Sequence, residues 1–314
     1  MTQRRAFGLT ELLFAGVGLS FLLAPALSSA RRNARDVVCQ NNQRQLSIAA
    51  INYATDFRDR FPTFSWRTAD VSPEVRALFP DRLHESDLDA QALQALDIIR
   101  RRSPSGRIAV APRSWHPQLE WSHLVLMAYL AAQLADPIAH CPSDPVRSAW
   151  LAGTTIAPTD QPWAFSSSYH QMPAAYQTDA PAGRRDAFTQ GTGQHALKPD
   201  LGPKGEVRAA TLTHVAFPDK KAYLTESVAS HSKPSPLFFT DPQAENFITF
   251  LDGHVAKHLT SEVNPGRASI TYAPRADLGE PAWRAAAAEP AQPGRMRWTT
   301  GGLRGIDVGG QEVK

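Results

Sequence analysis

Cysteine is scarce in this sequence: Cys39 and Cys141 are the two in 314 residues. A pair is too few for a disulfide scaffold or a four-cysteine zinc site, and no Cys-x-x-Cys spacing points to redox catalysis. A surplus of one charge is also lacking. Lys and Arg number 33 against 30 Asp and Glu, a net charge of +3, which gives no bulk basic field for a nucleic acid. Missing too are the Gly-x-Ser-x-Gly nucleophile elbow, the phosphate loop, the dinucleotide glycine fingerprint and the His-Glu-x-x-His zinc helix. No enzyme and no cofactor are therefore expected. The alternative for an enzyme is a hydrolase built on Ser166, Ser167 or Ser168 with distant histidines. Beyond the first thirty residues there is no long apolar run. The next most apolar stretch, Leu124 to Ala135, has the length of a buried soluble helix.

What is present starts at the N-terminus. A basic stretch, MTQRRA, precedes an apolar stretch from Phe7 to Ala30 that is broken by Glu11, small polar residues and Pro25. As helix it would span roughly 36 Å, enough for a hydrocarbon core of about 30 Å. Two readings compete. In one, Arg4 and Arg5 begin a secretory signal cut after Ala30, releasing a soluble binding domain. In the other, everything from Phe7 onward stays as a membrane helix. Glu11 separates them, because a carboxylate in a bilayer costs on the order of 2.5–3.5 kcal/mol and calls for a partner. A signal peptide gains nothing from it.

The run RRAFGLTELL, the apolar stretch with Pro25, and ALSSARRNARDVVCQNNQRQLSIAAINYATDF resemble the prepilin-type cleavage and methylation segment of type IV pilins and type II secretion pseudopilins. Three later elements extend the likeness to the large planctomycete-type branch of that family: Cys-Pro-Ser-Asp-Pro at Cys141 to Pro145, the hairpin at Phe250 to Val255, and the tail GLRGIDVGG from Gly302 to Gly310. The resemblance implies cleavage by prepilin peptidase between Ala6 and Phe7 and methylation of Phe7, with Ala6 standing where glycine is usual. It implies that Glu11 pairs with the Phe7 ammonium of a neighbouring subunit during assembly, so that two costly charges neutralise each other. Other pilin or pseudopilin subunits and the bacterial inner membrane are the partners it implies, with the C-terminal domain periplasmic and the protein a subunit or minor component of an envelope filament.

The expected fold class is α+β: a long N-terminal membrane-spanning helix packed on an antiparallel β-sheet domain with inserted helices. Residues 1–6 are the leader, 7–30 the transmembrane and assembly helix, 31–60 its continuation, and 61–314 the extracytoplasmic domain. That domain carries an insertion over 67–117 and an irregular loop over 183–205. Ala34, Val38, Leu46, Ala49, Tyr53 and Phe57 set an apolar face that continues the helix to about Phe57, with a kink near Pro25 and a stop at Pro62. Further helices are expected from Ser86, as cap, to Arg102 and from Trp121 to Ala135. Strands are expected at Ala164 to Gln171, Ala222 to Glu226, Asn246 to Leu251 and His254 to Leu259, the last two joined by an Asp252-Gly253 turn.

In an oxidising compartment Cys39 and Cys141 are expected to form a disulfide worth about 2–4 kcal/mol, against the alternative of two separately buried thiols. No metal site is expected. His254 and His258 share a strand face but stand about 13 Å apart, too far for one ion, and Asp252 with Gly253 reads as a turn. The basic run Arg100, Arg101 and Arg102 reads as a solvated helix end.

Overall fold

The computed structural model describes residues 8–80, 87–102, 117, 119–130, 137–151, 165–176, 188–190, 197–199, 209–226, 228–232, 235–266, 293–297, 299 and 301–311. Helix α1 runs from Leu9 to Asp56, close to the expected limits. Pro25 lies inside it and removes one backbone donor, and the Ser28 hydroxyl donates to the Pro25 carbonyl at 2.9 Å. The helix ends before Pro62 rather than at it. Arg58 and Asp59 take left-handed φ values of 55° and 64°, and the Asp59 N–H reaches back to the Ala54 carbonyl at 2.7 Å, closing the last turn. The Phe61 N–H then donates to the Ala210 carbonyl, handing the chain to the domain.

The two halves of α1 differ. Leu9, Phe14, Phe21 and Leu22 are 75–79% exposed, and apolar exposure continues to Val38. From Cys39 onward one stripe is buried: Cys39, Gln43, Leu46, Ser47, Ala50 and Tyr53. Ala34, Val38 and Phe57 therefore leave the expected face, because the domain covers the helix only between Cys39 and Ala54. The expected span over 7–30 is diluted by Thr10, Glu11, Gly16, Gly18 and Ser20. Among the described residues no helix is long and apolar enough to cross a membrane. What the segment does present is a continuous apolar surface suited to association with a membrane.

The insertion forms α2 (Pro73–Leu78) and α3 (Asp87–Arg102), and the expected cap Ser86 lies outside the described residues. Ser72 caps α2, accepting from the Val75 N–H at 3.3 Å. Leu93, Leu96 and Ile99 of α3 pack with Phe64, Trp121 and Met127 in a core of their own. The helix expected from Trp121 is instead a short 3₁₀ helix, Ser122–Leu126, continued by turns to Leu130. Four of its five residues are buried, so it is wedged on nearly every side, and the tighter pitch fits that crowded position. Residues 131–136 lie outside the described residues. Helix α4 (Pro145–Leu151) follows the Cys-Pro-Ser-Asp turn.

Eight strands occur among the described residues: β1 (Tyr169–Gln171), β2 (Phe188–Gln190), β3 (Leu197–Pro199), β4 (Ala222–Glu226), β5 (Val228–Ala229), β6 (Leu237–Phe238), β7 (Glu245–Phe250) and β8 (Val255–Leu259). Four make the antiparallel sheet β1-β4-β7-β8, against which the second half of α1 packs at β7 and β8. The stretch expected to be an irregular loop, 183–205, contains the antiparallel pair β2 and β3. Strand β1 is shorter than expected because Ser166, Ser167 and Ser168 spend their hydroxyls on nearby backbone and side chains instead of extending the ladder.

Alternation along β7 divides two cores. Phe247 and Thr249 face α1, where Gln43 accepts from the Thr249 hydroxyl at 2.7 Å and donates to the Phe247 carbonyl. Ile248 and Phe250 face Phe238, Phe239, Val263 and Met296 on the other side. The β7–β8 loop holds Leu251, Asp252, Gly253 and His254, two residues more than the expected pair, with Gly253 at φ 90°. The tail from Gly302 to Gly310 anchors the sheet: buried Asp307 pairs with Lys221 at 3.2 Å and accepts from the Ala222 N–H.

Candidate functional site

At the point where the sheet first covers α1, four side chains from separate parts of the chain converge. Cys39 comes from the first buried turn of α1, Cys141 from the Cys-Pro-Ser-Asp-Pro turn, Glu226 from the end of β4, and His231 from the turn after β5. One potential ligand atom from each lies within 4.8 Å of all the others, and all four residues are buried.

Each is locally positioned. The Cys141 N–H donates to the Ser168 hydroxyl oxygen at 3.0 Å, and Ser168 in turn donates to Asp144. Asp144 caps α4 by accepting from the Val146 and Arg147 N–H groups, with Pro145 at the first helical position. Burial pushes the Asp144 carboxyl up, but the Arg147 guanidinium at 2.9 Å and the hydrogen bonds outweigh it and hold the group below its ordinary range. His231 stands edge-on to Phe247, ring centroids 4.7 Å apart. Its Nδ1 pairs with Asp36 Oδ1 at 2.7 Å, and Asp36 also meets Lys257 at 3.4 Å.

Inside the cluster, the Cys39 thiol donates to Glu226 Oε1 at 3.1 Å, and Cys141 Sγ lies 3.1 Å from His231 Nε2, which is 3.5 Å from Glu226 Oε1. The Tyr169 hydroxyl and the Gln43 amide both point donors at Cys39 Sγ, at 3.4 and 3.7 Å. Glu226 Oε2 is buried with no hydrogen-bond partner among the described residues. Burial pushes the Cys39 thiol up to about 11 and the Cys141 thiol well above its usual value. Burial pulls His231 the other way, yet Glu226 and Cys141 raise it to about 11. Burial thus disfavours the thiolate at both cysteines, which makes neither a ready nucleophile.

The structure brings the two cysteines together, as the disulfide expectation required, but as free thiols rather than a bridge. Glu226 and His231 were missed in the sequence. Glu226 ends an ordinary strand, and His231 carries no spacing relation to either cysteine. The other residues singled out serve locally. His254 pairs with Asp252 at 2.6 Å and stacks on Phe250, and His258 pairs with Glu262 at 3.5 Å. Ser166, Ser167 and Ser168 hold the Cys141 turn. Glu11 is placed in the first turn of α1, while Ala6 and Phe7 lie outside the described residues.

Two features thus stand out: a buried four-residue cluster and an uncovered apolar half-helix. Among known families, the profile of one described as a protein of unknown function (DUF1559) matches residues 28–268. No curated protein and no solved structure matches the chain.

Proposed function

We propose that this chain, which belongs to the DUF1559 family, is a structural subunit or minor component of a type IV pilus-like or type II secretion pseudopilus filament. The observation that carries this reading is the first half of α1. Nine large apolar residues between Leu9 and Leu27 are 46–79% exposed and are distributed around the whole helix. A helix apolar on all sides is stable when lipid or other helices surround it. The domain itself reaches α1 only from Asp36 onward, so neighbouring subunits and the inner membrane are the cover this reading supplies.

Prepilin peptidase cuts between Ala6 and Phe7 in this proposal, and Glu11 meets the new Phe7 ammonium of an adjacent subunit. The DUF1559 match begins at residue 28, so the opening segment rests on its own motif and on the exposure of α1. The protein acts without catalysis, and its domain lies on the periplasmic side.

The test is Glu11→Val in the native envelope, with N-terminal peptide mass analysis alongside. A chain beginning at N-methylated Phe7, with the variant folded but at least tenfold depleted from pelletable filaments, is the expected result. Equal incorporation of variant and wild type, or a mature chain beginning at Arg31, overturns it.

A further inference from the structure

The buried cluster is more specific than core packing requires. Its donors are two sulfurs, one imidazole nitrogen and one carboxylate oxygen, the borderline-soft set that suits zinc rather than calcium or magnesium. Zinc bonds of about 2.0–2.3 Å in a tetrahedron place neighbouring donors about 3.3–3.8 Å apart. Here three donor pairs stand at 3.1, 3.1 and 3.5 Å, and every pair lies within 4.8 Å. Donor displacements of up to about 1 Å, within reach of side-chain torsions, would bring every pair to that spacing.

The surroundings match as well. The Nδ1 of His231 is held by Asp36 at 2.7 Å, which leaves Nε2 facing the two sulfurs and Glu226, the carboxylate–histidine arrangement that orients zinc ligands. Tyr169 and Gln43 aim donors at Cys39 Sγ, as a thiolate ligand needs. Lys257 sits beyond Asp36 and offsets part of the negative charge. Glu226 Oε2, buried and without a hydrogen bond among the described residues, is the unexplained atom of the cluster. A cation at the centre gives that carboxylate oxygen a partner that the side chains around it do not.

We infer that Cys39, Cys141, Glu226 and His231 form a closed structural zinc site that pins the first buried turn of α1 to the Cys141 turn and to the end of β4. Binding replaces the two thiol protons and the proton on His231 Nε2, all of which leave to solvent, and involves no change of oxidation state. Four protein donors leave no open position, so the site is structural rather than catalytic. This goes beyond the filament reading and does not rest on it, because a chain with or without zinc can still assemble through the other end of α1.

The experiment is metal and thiol analysis of the full chain, isolated from its envelope in detergent without chelator, then reduced and titrated with zinc alone. One zinc per chain with two thiols released together by chelator is the expected result. Cobalt in place of zinc should show sulfur-to-metal charge transfer, Cys141→Ser should abolish binding, and Asp36→Asn should weaken it about 10–100-fold with an unchanged circular dichroism spectrum. The asparagine variant decides the matter if the serine variant fails to fold. A chain two mass units light from a Cys39–Cys141 disulfide and holding no zinc overturns the inference. So do two free thiols that bind no zinc after reduction, or an Asp36→Asn variant that binds as tightly as the wild type.

Discussion

The two halves of α1 belong to one unbroken helix and live in opposite environments. Before Cys39 its large apolar side chains are exposed on every side. After it, a single stripe of mixed character, with Gln43 and Ser47 among Leu46, Ala50 and Tyr53, is buried on the sheet. The second half has the composition of a helix with a private partner; the first has that of a helix whose partners are other molecules. Both halves are helical, so it is cover, not conformation, that distinguishes them.

The sharpest way to break this comparison is a pair of truncations. Leu46→Ala, at 2% exposure, should cost about 2–5 kcal/mol of domain stability, while Leu22→Ala, at 75% exposure, should stay within about 0.5 kcal/mol. Denaturant unfolding of the detergent-solubilised chain reads both, and equal losses would mean that the first half packs on its own domain. Gln43→Ala should come next, at about 1–3 kcal/mol, because it strands the buried Thr249 hydroxyl and removes a bond to the Phe247 carbonyl. A milder loss than Leu22→Ala would show that this polar pair is not needed to seat the helix.

Acid should loosen the seat from the Cys141 side. Asp144 ionises below its ordinary range in the fold, so the unfolded chain takes up its proton first. The stability it contributes is present above about pH 4 and is lost as pH falls through its lower folded value. Melting temperatures measured downward from pH 5 should therefore fall more steeply for the wild type than for Asp144→Asn. Leu22→Ala aside, the smallest effect is expected at the far end of α1. There Tyr129→Phe removes a hydrogen bond to Asp56 at 2.7 Å, and a loss of roughly 0.5–1.5 kcal/mol is expected by the same unfolding measurement.

Much of the frame was legible. The 3.6-residue periodicity and the late Pro62 placed α1 to within two residues, and alternating β-formers with Asp252-Gly253 placed β4, β7 and β8. Where the reading failed, tertiary crowding or side-chain hydrogen bonding had overridden the pattern. The stretch after Trp121 tightened to 3₁₀ among buried neighbours, and Ser166 to Ser168 bonded to the Cys141 turn rather than joining β1. The buried face of α1 was misjudged at Ala34, Val38 and Phe57, because periodicity shows which residues share a side but not where a partner begins and ends.

By itself the sequence determined a continuous helix that is apolar all round at its start, an antiparallel sheet with a glycine-requiring hairpin, and the absence of a charge field or a known catalytic motif. These follow from local quantities: hydropathy, period and backbone freedom. The tertiary structure alone decided that Glu226 and His231 join the cysteine pair, which it leaves as free thiols, in one buried cluster with Asp36 behind the histidine. Donors separated by five to nearly two hundred positions along the chain share no period, and their proximity exists only once α1 has docked on the sheet.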